Sequence, residues 1–116
     1  GKLIAFYQKA DAGYQICTMR PDGSNFIIIT KFLAGIIATV PSWSPDSKKL
    51  AFIRNRQIFI IDVDSKNLYQ LPKTKSADYE QVYFITNNRL LALKAEGGSA
   101  HLVLIDIKEE ISVRTR

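Results

Sequence analysis

The chain has one histidine, His101, and one cysteine, Cys17. A catalytic serine or cysteine needs a base within hydrogen-bonding reach. His101 stands in the apolar run Ala100-His101-Leu102-Val103-Leu104, with no evident nucleophile nearby and no G-x-S-x-G elbow in the chain. It reads as a structural or surface residue. Cys17 has no partner for an internal disulfide and no second thiol for a zinc site, so it reads as a small buried hydrophobe. Asp62 and Asp106 recur in Ile60-Ile61-Asp62-Val63 and Leu104-Ile105-Asp106-Ile107. A carboxylate pair is the raw material of general acid–base chemistry, but matched strand-end positions point first to hydrogen bonding at turns. The aspartates lack a D-x-D-x-D-G ligand spacing, and Gly97-Gly98-Ser99 is too short, and lacks the following helix, to cradle a phosphate. The expectation is a chain without a catalytic centre, metal or cofactor, and hence not itself an enzyme.

What positions these residues must be a single domain. The 116 residues are 47% hydrophobic and 23% charged, which is ordinary for one globular unit and too short for two. The net charge of +5 invites a nucleic-acid reading, but the sixteen Lys and Arg are scattered, in runs of no more than two. A binding face needs clustered charge, so no nucleic-acid partner is expected. No stretch reaches the roughly 18 apolar residues of a membrane span, and no membrane insertion is expected.

The chain repeats itself. Asp22-Gly23-Ser24-Asn25-Phe26 returns as Asp64-Ser65-Lys66-Asn67-Leu68, and Ile4-Ala5-Phe6 returns as Leu50-Ala51-Phe52 and as Leu91-Ala92-Leu93. Trp43 to Leu50 and Phe84 to Leu91 span the same number of positions. A period of roughly 40–45 residues with several short strands in each marks propeller blades. The fold class expected is all-β: a partial β-propeller of about three antiparallel blades, at about 1–31, 37–73 and 78–116. The middle blade carries strands at 39–43, 49–54, 57–63 and 67–71. The third carries 80–85, 89–94, 101–107 and 111–114. The first has only 3–7, 14–19 and 26–30, and lacks an innermost strand. Inner strands apolar on both faces fit a blade packed between neighbours. A two-sheet sandwich would not explain the repeat.

Ser42-Trp43-Ser44-Pro45-Asp46-Ser47-Lys48-Lys49-Leu50-Ala51-Phe52 resembles the repeat of TolB-like β-propellers, S-W-S-P-D-G-K-x-I-A-F, and Met19-Arg20-Pro21-Asp22-Gly23-Ser24-Asn25 resembles that family's other turn. Trp43, Pro45, Asp46, Asp22 and Gly23 are the structural residues of the two motifs. Ser47 and Ser65 stand where the family has Gly, so those turns are expected to carry a left-handed non-glycine residue or a different geometry, and Asn88, which tolerates that conformation better, takes the corresponding place in the third blade. Phe84-Ile85-Thr86-Asn87 replaces Trp-Ser-Pro-Asp. The resemblance implies a non-enzymatic protein-interaction or ligand-binding scaffold of the bacterial envelope or periplasm. The alternative it implies is the gating propeller of a prolyl-oligopeptidase-like serine hydrolase whose catalytic domain lies elsewhere.

Blade connectivity sends the motif turns to one face. The connections at 8–13, 54–56, 95–100, 31–38 and 72–79 go to the other, where binding is expected. The 31–38 connection is unusually apolar. Either it folds back into the structure, or Phe32, Leu33, Ile36 and Ile37 form an exposed patch for a protein partner or a second copy.

Overall fold

Leu50-Ala51-Phe52-Ile53 and Ile58-Phe59-Ile60-Ile61 are two apolar tetrads, and a two-residue turn at Asn55-Arg56 pairs them antiparallel. Side chains alternate along a strand, so such tetrads bury completely only when both sheet faces are covered. The computed structural model, which describes residues 2–31, 33–35, 37, 39–72 and 77–107, places them at the centre of three antiparallel sheets. The predicted strand at 111–114 lies outside the described residues, as do Phe32 and Ile36.

The first sheet is β1 (Ile4–Ala10), β2 (Gly13–Met19) and β3 (Ile27–Ile28). The middle sheet is β4 (Ser42–Trp43), β5 (Lys49–Arg54), β6 (Gln57–Asp62) and β7 (Leu68–Gln70). The third is β8 (Ala77–Thr86), β9 (Arg89–Glu96) and β10 (Ser99–Asp106). Each is an up-and-down meander whose strands pair in chain order, and we call each a blade.

The middle blade divides its side chains strictly by parity. Leu50, Phe52, Phe59 and Ile61 pack with Ala5, Ile16 and Ile29 of the first blade. Ala51, Ile53, Ile58 and Ile60 pack with Val82, Leu90, Ala92 and Ile107 of the third. The molecule therefore has two cores, one on each side of the same sheet, and the expectation of inner strands buried on both faces holds for β5 and β6.

The connection between second and third strands is a two-residue turn in every blade. In the middle blade the strands meet it where expected, at Arg54 and Gln57; in the first and third blades the strands run further than the apolar pattern suggested. Ala10 pairs with Gly13, Arg54 with Gln57 and Glu96 with Ser99. Asn55 and Arg56 take positive φ (51° and 64°), as do Gly97 and Gly98 (60° and 82°), the combination that a type I′ hairpin requires.

A second correction concerns the repeat. Lys49 pairs with Asp62 and Leu50 with Ile61; Arg89 pairs with Asp106 and Leu90 with Ile105. Leu90, not Leu91, is thus the counterpart of Leu50. The first turn of the third blade is shorter, with Thr86 paired to Arg89, and the register shifts between Phe84 and Thr86. A slip of one residue sends every side chain to the opposite face, so Ala92 faces the middle blade while Ala51 faces away from the first.

Candidate functional site

The motif turn is built from its own side chains. The Ser47 N–H donates to the Ser44 carbonyl at 2.9 Å, closing a turn with Pro45 and Asp46 at its corners. The Asp46 carboxylate accepts from the Ser44 hydroxyl at 2.6 Å and from the Lys48 N–H at 3.0 Å, while the Ser44 hydroxyl oxygen accepts the Lys49 N–H at 3.0 Å. In the first blade the Asp22 carboxylate accepts the hydroxyl and the N–H of Ser24, at 2.6 and 2.9 Å. These hydrogen bonds hold Asp46 and Asp22 below the usual carboxylate range, the serine hydroxyl being the largest cause at each. A lowered folded pKa means the unfolded chain binds more protons in acid. Stability from these turns is present above about pH 4, the unfolded value, and is lost as pH falls through the folded values. Melting temperatures between pH 5 and 2 should fall less steeply for an Asp22→Asn, Asp46→Asn double variant than for the parent; equal slopes would contradict this.

Ser47 has φ 61°, the left-handed backbone expected where the family carries Gly. Ser47→Gly should therefore raise the melting temperature, by relief of roughly 1 kcal/mol of steric cost less the added unfolded-state entropy. A lower melting temperature would contradict this geometry. The other two turns take a different geometry. In the turn after β6 the left-handed residue is Lys66 (φ 64°), not Ser65, because this turn closes from Asp62 to Asn67, against Arg20 to Ser24 in the first blade. Asn88 is not among the positive-φ residues, since the shortened Asn87-Asn88 turn leaves no left-handed position to fill.

The turns also join one blade to the next. The Asp46 N–H donates to Asn87 Oδ1 at 2.9 Å, and the Phe84 N–H donates to Ser42 Oγ at 3.1 Å. Both pairs lie close to one repeat apart. Sequence reasoning missed Asn87 because the third blade departs from the motif there. Within blades, the Val63 N–H donates to the Lys48 carbonyl and the Ile107 N–H to the Asn88 carbonyl, so first and third turns share one face as expected.

The apolar connection after β3 folds back. Leu33 and Ile37 are buried in the core between the first two blades. Leu33 exchanges backbone hydrogen bonds with Tyr14, 3.0 and 2.7 Å, and Arg54 Nε donates to the Ala34 carbonyl at 2.7 Å. Leu33 and Ile37 are thus core residues rather than an exposed patch. Trp43 is half-buried against the same core. Away from Trp43, a groove of about 630 Å³ lined by Ile29, Leu33, Ile61 and Leu68 with Lys31 and Lys66 opens between the outer parts of the two blades.

Among the candidate reactive groups, His101 is exposed on β10 and Cys17 is buried, its thiol pushed up by burial. Asp62 forms an ion pair with Lys49 at 3.0 Å, and Asp106 stands opposite Arg89 at the same register. Their recurrence therefore reflects a cross-strand charge position rather than a carboxylate pair. Among the described residues no group of His, Cys, Asp or Glu forms a metal site.

What remains is surface. The face of the third blade turned away from the middle one carries Tyr83, Leu102 and Leu104, each at least half exposed. The outward face of the first blade carries Ile4, Phe26 and Ile28, each about two-fifths exposed. Three meanders stacked face to face in chain order are the geometry of a propeller segment.

Comparison with solved structures agrees. The chain superposes on TolB from Acinetobacter baumannii with a TM-score of 0.76, at 18% identity, over 93% of this chain and 29% of that one. It superposes on a TolB structure from Agrobacterium tumefaciens with a TM-score of 0.73, at 17% identity, over 92% of this chain and 42% of that one. The fold is that of a TolB-like propeller. The chain spans about three-tenths and two-fifths of the length of these two proteins. No protein-family model and no curated protein sequence matches it. The propeller assignment explains why the sandwich alternative fails: a sandwich has one core between two sheets, and here a single sheet separates two cores.

Proposed function

We propose that the chain is part of a non-enzymatic scaffold that works by binding other proteins, in the envelope or periplasm of a bacterium. The observation that carries this reading is the structural likeness to two bacterial TolB proteins. Its physical support is the exposure of large apolar side chains, Tyr83, Leu102 and Leu104 among them, the kind of surface that marks protein contact. The gating-propeller alternative has no separate observation in its favour.

Two measurements test the reading. Fractionation of the native cells should recover the protein with the envelope or the osmotic-shock fluid; recovery in the cytosol would overturn the setting. Labelling with a fluorophosphonate serine-hydrolase probe should leave the native gene product unmodified. Labelling would transfer support to the hydrolase reading.

A further inference from the structure

The groove between the outer parts of the first and middle blades has walls of one chemical kind and a rim of another. Ile29, Leu33 and Ile61 are buried along it, and Leu68 is exposed at its side. The charged residues that line it are Lys31 and Lys66, both exposed, and no carboxylate lines it among the described residues. Neither lysine forms an ion pair among the described residues. The volume of about 630 Å³ falls within the roughly 300–1,000 Å³ of small-molecule sites. Both walls come from blades that stack on each other within the chain.

The backbone along the walls decides between occupants. The Ile29 N–H donates to the Ile16 carbonyl, Leu33 exchanges both of its backbone hydrogen bonds with Tyr14, and Ile61 pairs with Leu50 on one side and Leu68 on the other. The Thr30 hydroxyl accepts the Ile16 N–H at 2.9 Å. A peptide laid here would bring amide groups that find few partners, and an amide taken out of water unpaired is costly. A hydrocarbon chain brings none. We propose that the groove binds a long-chain monocarboxylate, a free fatty acid, with its alkyl chain along Ile29, Leu33, Ile61 and Leu68 and its carboxylate held by the lysines of the rim. This goes beyond the protein-binding reading and stands whether or not that reading holds.

Fluorescence titration tests it. The full-length native gene product should enhance and blue-shift the emission of dansylaminoundecanoic acid. Competition by decanoate, dodecanoate and tetradecanoate, each below its micelle concentration, should strengthen roughly two- to fourfold per methylene, about fourfold being the value for complete burial. A Lys31→Glu, Lys66→Glu double variant should lose about tenfold in affinity for dodecanoate, from two surface charge reversals, and hold dodecanol within about twofold. Leu68→Ala, on the wall, should weaken acid and alcohol equally, by several-fold. All three positions are exposed, so an unchanged far-UV spectrum is expected of both variants. Absence of binding, an affinity independent of chain length, or equal loss of acid and alcohol in the lysine variant would each overturn the proposal. So would binding to phosphatidylglycerol vesicles or to an acidic peptide in place of the monomeric acid.

Discussion

Replacing Phe52 by alanine lowers the unfolding free energy by about 3–5 kcal/mol. The ring is fully buried in the core between the first and middle blades and stacks on Phe59, with centroids 5.7 Å apart and planes 17° from parallel. Truncation removes this contact and leaves a cavity whose walls are strands of two sheets, held by ladders that resist collapse. Urea titration measures the loss as a shift of midpoint at constant slope. A loss below about 1 kcal/mol would mean that the first blade does not pack where it is placed.

Gly13→Ala is the second large effect, at roughly 3 kcal/mol, from the cost of a side chain at positive φ together with the loss of one to two hydrogen bonds. Gly13 has φ 129°, and a methyl group there would lie 2.5 Å from the Leu33 carbonyl oxygen. The atom it strikes is backbone, and that carbonyl accepts the Tyr14 N–H. Relief therefore requires the 31–38 connection to move and to pull Leu33 out of the core. Thermal unfolding of the variant should show the loss together with faster amide exchange at Leu33 and Tyr14; unchanged exchange there would place the strain elsewhere.

The fold was legible in the sequence where side chains repeat with the strand period. Leu50 to Ile53 and Ile58 to Ile61 could bury both faces only in a stacked sheet, and Lys49–Arg54 forms over the range expected of it. Ser44, Pro45 and Asp46 declared their turn because each supplies a specific local hydrogen bond or backbone angle. Legibility ended where geometry depends on counting. The third blade replaces the motif with a shorter turn and a register shift, and the similarity of Leu91-Ala92-Leu93 to Leu50-Ala51-Phe52 concealed a one-residue offset. The burial of Leu33 and Ile37 was equally hidden, since an apolar connection has the same composition whether it lies on a core or on a partner. Asn87 bonds to the backbone of another blade, a contact that no local pattern encodes.

Isotope-edited NOE spectroscopy on methyl- and aromatic-labelled chain tests the central claim most directly: that one sheet, the middle blade, separates two cores by strand parity. The Ile53 and Ile58 methyls should show cross-peaks to Val82 and Leu90 and none to Ile16 or Ile29. The Phe52 and Phe59 rings should show the reverse. Cross-peaks from both sets to the same blade, or a middle-blade face with no inter-sheet cross-peaks, would contradict the propeller arrangement.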